Sequence, residues 1–446
     1  MKEAHPLEKT IGMELYSTDC EGVGGKLKTR YEDFLVEEIT SDNKILSVKE
    51  WLNGPMGEPS LQGKKTNYVT FTVQKMGLST MDVSTIIASS LRLPRNLVSY
   101  SGLKDKRAVT VQRMSAPTRA ARGLGELELS NIEIRDIEYS KHLVQIGDLL
   151  GNRFTILLRD IDVSPERALE VAEDVLPQPL LNYFGIQRFG IARPNTHVAG
   201  KFLIKRDFEG MIRSILCTPG DYENQEIIDA RVKLSENLTP TEKIIDTFPK
   251  DLHYERTVME ELMKQPGEFK RAVSRIPPRI LTLMVHAYQS FLFNKMLSAR
   301  VKSGLSHVLP EPGDFLIALD ETHAGRDSWL YVTESTLEER RQQVSDMKYA
   351  LALPSPGYAT HLPPTKQSEM LKEILGEEEI TLKDFRDPQM KSIDAAGGLH
   401  RTSITLSDWD ASASDEGLLV KFSLRKGSYA TIVLRELMKN HPINRI

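Results

Sequence analysis

Asn67-Tyr68-Val69-Thr70-Phe71-Thr72-Val73-Gln74 alternates its side chains and is rich in β-branched and aromatic residues. That pattern predicts a strand over 67–74 with one buried face. Similar texture lies on both sides. Upstream, Lys26-Leu27-Lys28 and then Phe34-Leu35-Val36 running into Ile39 read as strand, turn and strand within 24–40. Downstream, strands are predicted near 98–103, 108–115, 131–138, 142–147 and 153–159. Two short helices interrupt them. One covers 82–91 and stops before Pro94. The other opens at Ser164-Pro165, with Ser as N-cap and Pro at the first helical position, and is stopped by Pro177. Strands gathered ahead of helices, without βαβ alternation, imply an α+β fold on a mainly antiparallel sheet.

From about 205 to 395 the chain becomes helix-rich and punctuated by prolines. Its clearest helix runs from Arg279 to about Lys302, with Ile280, Met284, Ala287, Phe291 and Leu297 near one face and Gly304 beyond its end. Strand-like segments return at 401–405 and 417–424, and a last helix is predicted over 430–439. The expected organisation is a sheet domain in two parts, 1–204 and 396–446, interrupted by a helix-rich insertion at 205–395.

The 446 residues are 40% hydrophobic and 27% charged, which excludes a disordered or fibrous chain. Two cysteines, Cys20 and Cys217, can build neither a disulfide framework nor a four-thiolate zinc site. The N-terminus is polar, and no apolar run approaches the ~20 residues of a membrane span. A cytoplasmic protein without membrane association is expected. No P-loop, dinucleotide fingerprint, C-x-x-C, H-E-x-x-H or G-x-S-x-G occurs, so neither cofactor nor metal is expected.

The net charge of −4 argues against a nucleic-acid partner until it is partitioned. Residues 91–125 carry +7, and residues 186–213 and 416–446 carry +4 each, so these stretches hold +15 and the rest −19. Three solvated basic faces are one reading of this; a cleft for a polyanion is the other.

Three segments in or overlapping those stretches carry chemistry. In Ser101-Gly102-Leu103-Lys104-Asp105-Lys106-Arg107, Asp105 is a lone carboxylate among three cations, which favour its ionised form as a base or nucleophile. The same residues also read as a basic turn whose Asp balances charge. Leu181-Asn182-Tyr183-Phe184-Gly185-Ile186-Gln187-Arg188-Phe189-Gly190 crowds aromatics, amides and an Arg together. It suits stacking on a nucleobase, and suits a buried core equally in kind. Phe422 to Thr431 reads as a strand, a basic turn and a helix start, either an anion cradle or a closing element.

In this order the segments resemble the TruD family of pseudouridine synthases. The resemblance rests on KTRYEDF at 28–34, GLKDKRAVT at 102–110, NYFGIQRFG at 182–190, HAYQSFLFN at 286–294 and GSYATIVLREL at 427–437. Patches at 353–358 and 398–401 also resemble it. It implies a pseudouridine-synthase-type catalytic domain with a family-specific helical insertion, acting on tRNA without cofactor, metal or obligatory protein partner. By the same resemblance Asp105 is the catalytic aspartate. Phe184 stacks on the target base, Asn182 is the amide beside the aspartate, and Lys28 and Phe34 are the basic and aromatic residues of the N-terminal motif. Tyr429 is the C-terminal aromatic. Tyr31 stands where the family often has Pro, and Tyr429 replaces a frequent Phe. The implied target is uridine 13 in the D arm; an anticodon uridine and a non-catalytic RNA-binding or chaperone role are the alternatives. A glycoside hydrolase is disfavoured, since no second acid lies in the basic motif.

Overall fold

The computed structural model describes residues 1–445 apart from 52, 53, 60, 62, 63, 192, 221 and 320–328. By internal contacts the chain divides into two units, Met1–Ser17 with Leu181–Ser403 and Thr18–Leu180 with Ile404–Ile446. The stretch 205–395 lies within the first of these.

The second unit is built on nine strands among the described residues. They are β1 (Gly24–Lys26), β2 (Phe34–Thr40), β3 (Tyr68–Met76), β4 (Ser99–Tyr100), β5 (Val109–Pro117), β6 (Ile132–Ser140), β7 (Leu149–Ile161), β8 (Ser407–Ser414) and β9 (Gly417–Arg425). The path is β8-β9-β7-β2-β5-β3-β6, with β1 on β7 and β4 on β5. Every pair is antiparallel except β2 and β5, which run parallel with Val36 opposite Thr110. This α+β, mainly antiparallel architecture is the one the sequence predicts. On β3, Val69, Phe71 and Val73 are buried against Val83, Ile87 and Ala88 of α1 (Thr80–Ser90). Ser79 caps α1 by accepting from the Asp82 N–H, and Ser164 caps α2 (Pro165–Val175) through the Arg167 N–H.

The parallel pair brings two of the singled-out segments together. Strands that run the same way begin at the same edge, so the segments feeding β2 and β5 arrive side by side. Those segments contain Lys28 and Asp105.

Two expected strands change, and two further features went unpredicted. Residues 142–147 are not a strand: the Val144 N–H donates to Ser115 Oγ and the Gln145 N–H to Asp148, which makes a turn before β7. The strand expected at 98–103 shrinks to β4, because the chain turns at Ser101-Gly102. The edge strand β8, Ser-Asp-Trp-Asp-Ala-Ser-Ala-Ser, is mostly exposed and carries no apolar alternation to betray it. In the first unit the helix-rich stretch also holds three strands, Phe315–Ala318, Trp329–Tyr331 and Tyr349–Ser355, which form a small antiparallel sheet with Gly398–Arg401. Short apolar runs such as Phe315-Leu316-Ile317 cannot be told from buried helix by periodicity alone.

The first unit is otherwise helical, with α3 (Thr196–Ile204) packed on the long α4 (Pro278–Lys302). The predicted apolar stripe of α4 is too narrow. Ala287 and Leu297 are buried, but so are Val285, Tyr288, Gln289, Ser290, Leu292, Phe293 and Asn294, which wrap most of the helix's middle. No helix among the described residues is long and apolar enough to cross a membrane.

Packing between α3 and α4 carries a measurable consequence. His197 on α3 is buried, stacks on Phe291 at 4.8 Å and meets the edge of Phe189 at 5.3 Å. Burial pushes its imidazole down to about 4. The unfolded imidazole binds a proton below about pH 6.5 while the folded one does not. Stability from this site is therefore complete above 6.5 and lost as pH falls toward 4. His197→Phe is expected to reduce the loss between those pH values by about 3 kcal/mol, read from urea titrations at several pH values. Parallel wild-type and variant profiles would show the ring to be exposed to protonation when folded.

Candidate active site

In the second unit, KTRYEDF enters β2 through a single 3₁₀ turn, Tyr31–Asp33. Asp33 is buried and fixes the motif: it accepts the Arg30 N–H at 2.8 Å and both Nε and Nη2 of Arg159 at 2.8–2.9 Å. Burial alone would raise its carboxyl, but the Arg159 guanidinium and the Arg30 N–H outweigh it and hold the group below the usual carboxylate range. Lys28 adopts a left-handed backbone, φ 53°, and its side chain is buried. Its Nζ lies 2.8 Å from Asp105 Oδ1 and 4.4 Å from the centre of the Phe34 ring. Phe34 itself is buried and packs edge-on against Phe154. Asp105 keeps its side chain 35% exposed, and no other hydrogen bond reaches its carboxylate among the described residues.

The loop carrying Asp105 is held at several points. Lys104 pairs with Glu38 at 2.9 Å, both side chains buried, and Ser101 Oγ donates to the same carboxylate. The Lys104 N–H donates to Thr80 Oγ1, and Gln112 Nε2 donates to the Gly102 carbonyl. Lys106 and Arg107 are exposed. The three sequence neighbours therefore do not supply the cation nearest Asp105: Lys104 is turned to Glu38, and Lys28, 77 residues upstream, meets the carboxylate.

Lys75 escaped the sequence reading. It continues the buried face of β3 and is wholly inaccessible. Its ammonium donates to the Leu78 carbonyl at 2.7 Å and the Asp105 carbonyl at 2.8 Å. Burial pushes its amine down to about 8, with the Asp105 charge acting in the opposite direction. A lone Lys breaking an apolar alternation was the available signal.

In the first unit, Asn182 is wholly buried. Its N–H donates to the Thr402 carbonyl, and its Nδ2 lies 2.9 Å from the Arg401 carbonyl and 3.1 Å from His400 Nε2. Phe184 is half-buried and stacks on His400, with ring centres 4.4 Å apart at 24°. Phe293 meets both rings edge-on, at 5.4 and 4.9 Å. Burial, reinforced by Arg401, pushes the His400 imidazole down to about 3, so the ring is neutral. The backbone of Phe184 is clamped by one amide: Asn294 Oδ1 accepts its N–H and Nδ2 donates to its carbonyl, each at 2.9 Å. Asn294 closes HAYQSFLFN on α4 and was not singled out as functional; nothing in its spacing marks it. Gly190 ends the motif at φ 103°, where a Cβ would sit 2.5 Å from the Arg193 carbonyl oxygen.

Tyr429 stands at the end of the strand–turn–helix, just before the helix Ala430–Met438, and is 46% exposed. Of the residues singled out in the sequence, Lys28, Phe34 and Asp105 meet in one unit and Asn182 and Phe184 adjoin in the other. Among the described residues, no group of three or more His, Cys, Asp and Glu side chains is disposed to hold a metal ion.

Residues 10–437 match the family model described as tRNA pseudouridine synthase D (TruD). The probable tRNA pseudouridine synthase D of Methanosarcina acetivorans is 30% identical over 453 residues, covering 99% of this chain and 98% of that protein. Its counterpart in Methanococcus vannielii is 34% identical over 436 residues, covering 96% and 99%. The crystal structure of the putative tRNA pseudouridine synthase D from Methanosarcina mazei superposes with a TM-score of 0.81 at 28% identity, covering 99% of this chain and all of that one.

Proposed function

The chain belongs to the TruD family of tRNA pseudouridine synthases, and on that footing we propose that it isomerises uridine 13 in the D arm of tRNA to pseudouridine. Isomerisation breaks the C1′–N1 bond, turns the uracil and forms C1′–C5; C5 gives up its hydrogen and N1 gains one. No redox equivalent or phosphoryl group is exchanged. The reaction needs a carboxylate at the ribose and base, a platform for an extruded base and cations for the backbone.

The observation that best supports this reading is the Lys28–Asp105 pair: one carboxylate oxygen is fixed by a buried ammonium while the side chain stays accessible. We assign Asp105 the covalent or base role, Lys28 its orientation, and Phe34 the support of Lys28 through its ring face. Phe184 and Tyr429 stack or line the substrate, and Asn182 hydrogen-bonds it. Residues 205–395 form the family insertion within a catalytic domain of 1–204 and 396–446, and the enzyme works in the cytoplasm without cofactor, metal or partner protein.

Unmodified tRNA transcripts incubated with the purified chain, then mapped by carbodiimide tagging and primer extension, test this directly. A stop at uridine 13 is expected. A stop confined to an anticodon uridine would keep the chemistry and replace the target; no stop in any tRNA would overturn the function. Binding is also expected to weaken steeply with salt, with a log–log slope of roughly −0.7 to −0.9 per neutralised phosphate. A flat response would remove phosphate contacts from the account.

A further inference from the structure

Leu103 and Ile146 are the two most exposed large apolar side chains among the described residues, at 69% and 63%. Single apolar residues on a surface are ordinary, but the position of these two is not. Leu103 stands two residues before Asp105, so their Cα atoms are at most about 7 Å apart. Ile146 lies on the turn before β7, and that turn is bonded to the Asp105 loop: the Gly147 N–H donates to the Ser101 carbonyl at 2.7 Å. Lys426 Nζ donates in turn to the Gly147 carbonyl at 3.1 Å. The loop on either side of Leu103 is held at four points, because Ser101 Oγ, the Gly102 carbonyl, the Lys104 N–H and the Asp105 carbonyl each have a fixed partner. Exposed cations accompany each element in sequence: Lys106 and Arg107 after Leu103, Lys141 ahead of Ile146, and Arg425 beside Lys426.

An apolar side chain held out in water gains free energy only when a partner covers it, and neighbouring cations suit a polyanion as that partner. A carboxylate cannot reach the ribose carbon and ring of a stacked uridine, so the base has to leave its stack. The gap it leaves can be closed by an apolar side chain inserted between the neighbouring bases. We propose that Leu103 is that wedge: it enters the RNA stack as the target uridine leaves, and its place on the loop of Asp105 brings the extruded nucleotide to the carboxylate. Ile146, on the loop bonded to it, extends the same apolar edge. The inference rests on the assignment of Asp105 to the reacting uridine made above. It adds a residue and a step, extrusion of the base, which that assignment does not contain.

Leu103→Ala removes the wedge at an exposed position, where substitution leaves folding intact, and Leu103→Met keeps its bulk. Single-turnover pseudouridine formation at saturating tRNA is expected to fall at least about tenfold in Leu103→Ala and to stay within about threefold of wild type in Leu103→Met. The tRNA affinity of both should remain within about threefold of wild type. A 2-aminopurine placed next to the target uridine brightens when it loses its stacking neighbour. Its fluorescence should rise on binding Asp105→Asn, which extrudes the base without turnover, and rise less than about half as much when Leu103→Ala is added. A Leu103→Ala rate within about threefold of wild type, an equal slowing in Leu103→Met, a loss confined to affinity or an undiminished fluorescence rise would each overturn the proposal. An inactive wild type would instead remove the functional reading, so the two failures are distinguishable.

Discussion

Asp105→Asn is expected to abolish pseudouridine formation, by at least about 10³-fold in single turnover, while tRNA affinity stays within about threefold. The substitution keeps the size of the side chain and an oxygen for Lys28 Nζ, which lies 2.8 Å from Oδ1 in the wild type. It removes the carboxylate that either attacks the reacting centre or takes up a proton. Removing one negative charge beside a polyanion does not weaken docking, so rate and affinity should separate. Loss of binding in parallel with rate would show Asp105 to be a structural counter-ion, the alternative that its basic loop leaves open.

The second large effect is expected at Lys75. Its ammonium ties the Asp105 carbonyl to the turn after β3, two backbone acceptors that no methionine could satisfy. Lys75→Met should free the loop, and displacing a reacting group by about 1 Å costs on the order of 10² in rate. The variant also carries a pH signature. The folded amine titrates near 8, below its ordinary 10.5, because burial disfavours the charged form. Between those values the unfolded chain holds a proton that the folded chain has released, so wild-type stability rises with pH there. Below pH 8 the cost of the buried charge is fully present. The stability of wild type relative to Lys75→Met should therefore grow by about 3 kcal/mol from pH 8 to 10.5, measured by urea unfolding. An unchanged difference would mean that the amine is solvated in the folded state.

Local pattern made much of this architecture readable. Alternation in 67–74 placed β3, Ser164-Pro165 placed α2, and the Phe422–Thr431 segment is the strand, turn and helix start it resembles. What stayed hidden depends on contacts between distant residues. The partner of Asp105 follows from the parallel pairing of β2 with β5, which no local spacing encodes. The three cations beside Asp105 in sequence pointed elsewhere, and one of them, Lys104, is claimed by buried Glu38. Lys75 was passed over because it sits at the end of an apolar face, and Asn294 because its value lies in the backbone it clamps. The small sheet inside the helix-rich stretch and the polar edge strand β8 lack the periodicity that identifies strands.

The partition of charge points the same way as the motifs. The +7 of residues 91–125 lies around Asp105 in sequence, and this stretch outweighs in meaning a whole-chain sum of −4.

Because C5 becomes the glycosidic carbon, every pseudouridine formed releases the hydrogen that C5 carried. A tRNA transcript labelled with tritium at uracil C5, incubated with the purified chain alone, is predicted to release label stoichiometric with tRNA, and Asp105→Asn to release none. Equal release by both proteins would remove Asp105 from the chemistry, and no release by the wild type would contradict the account as a whole.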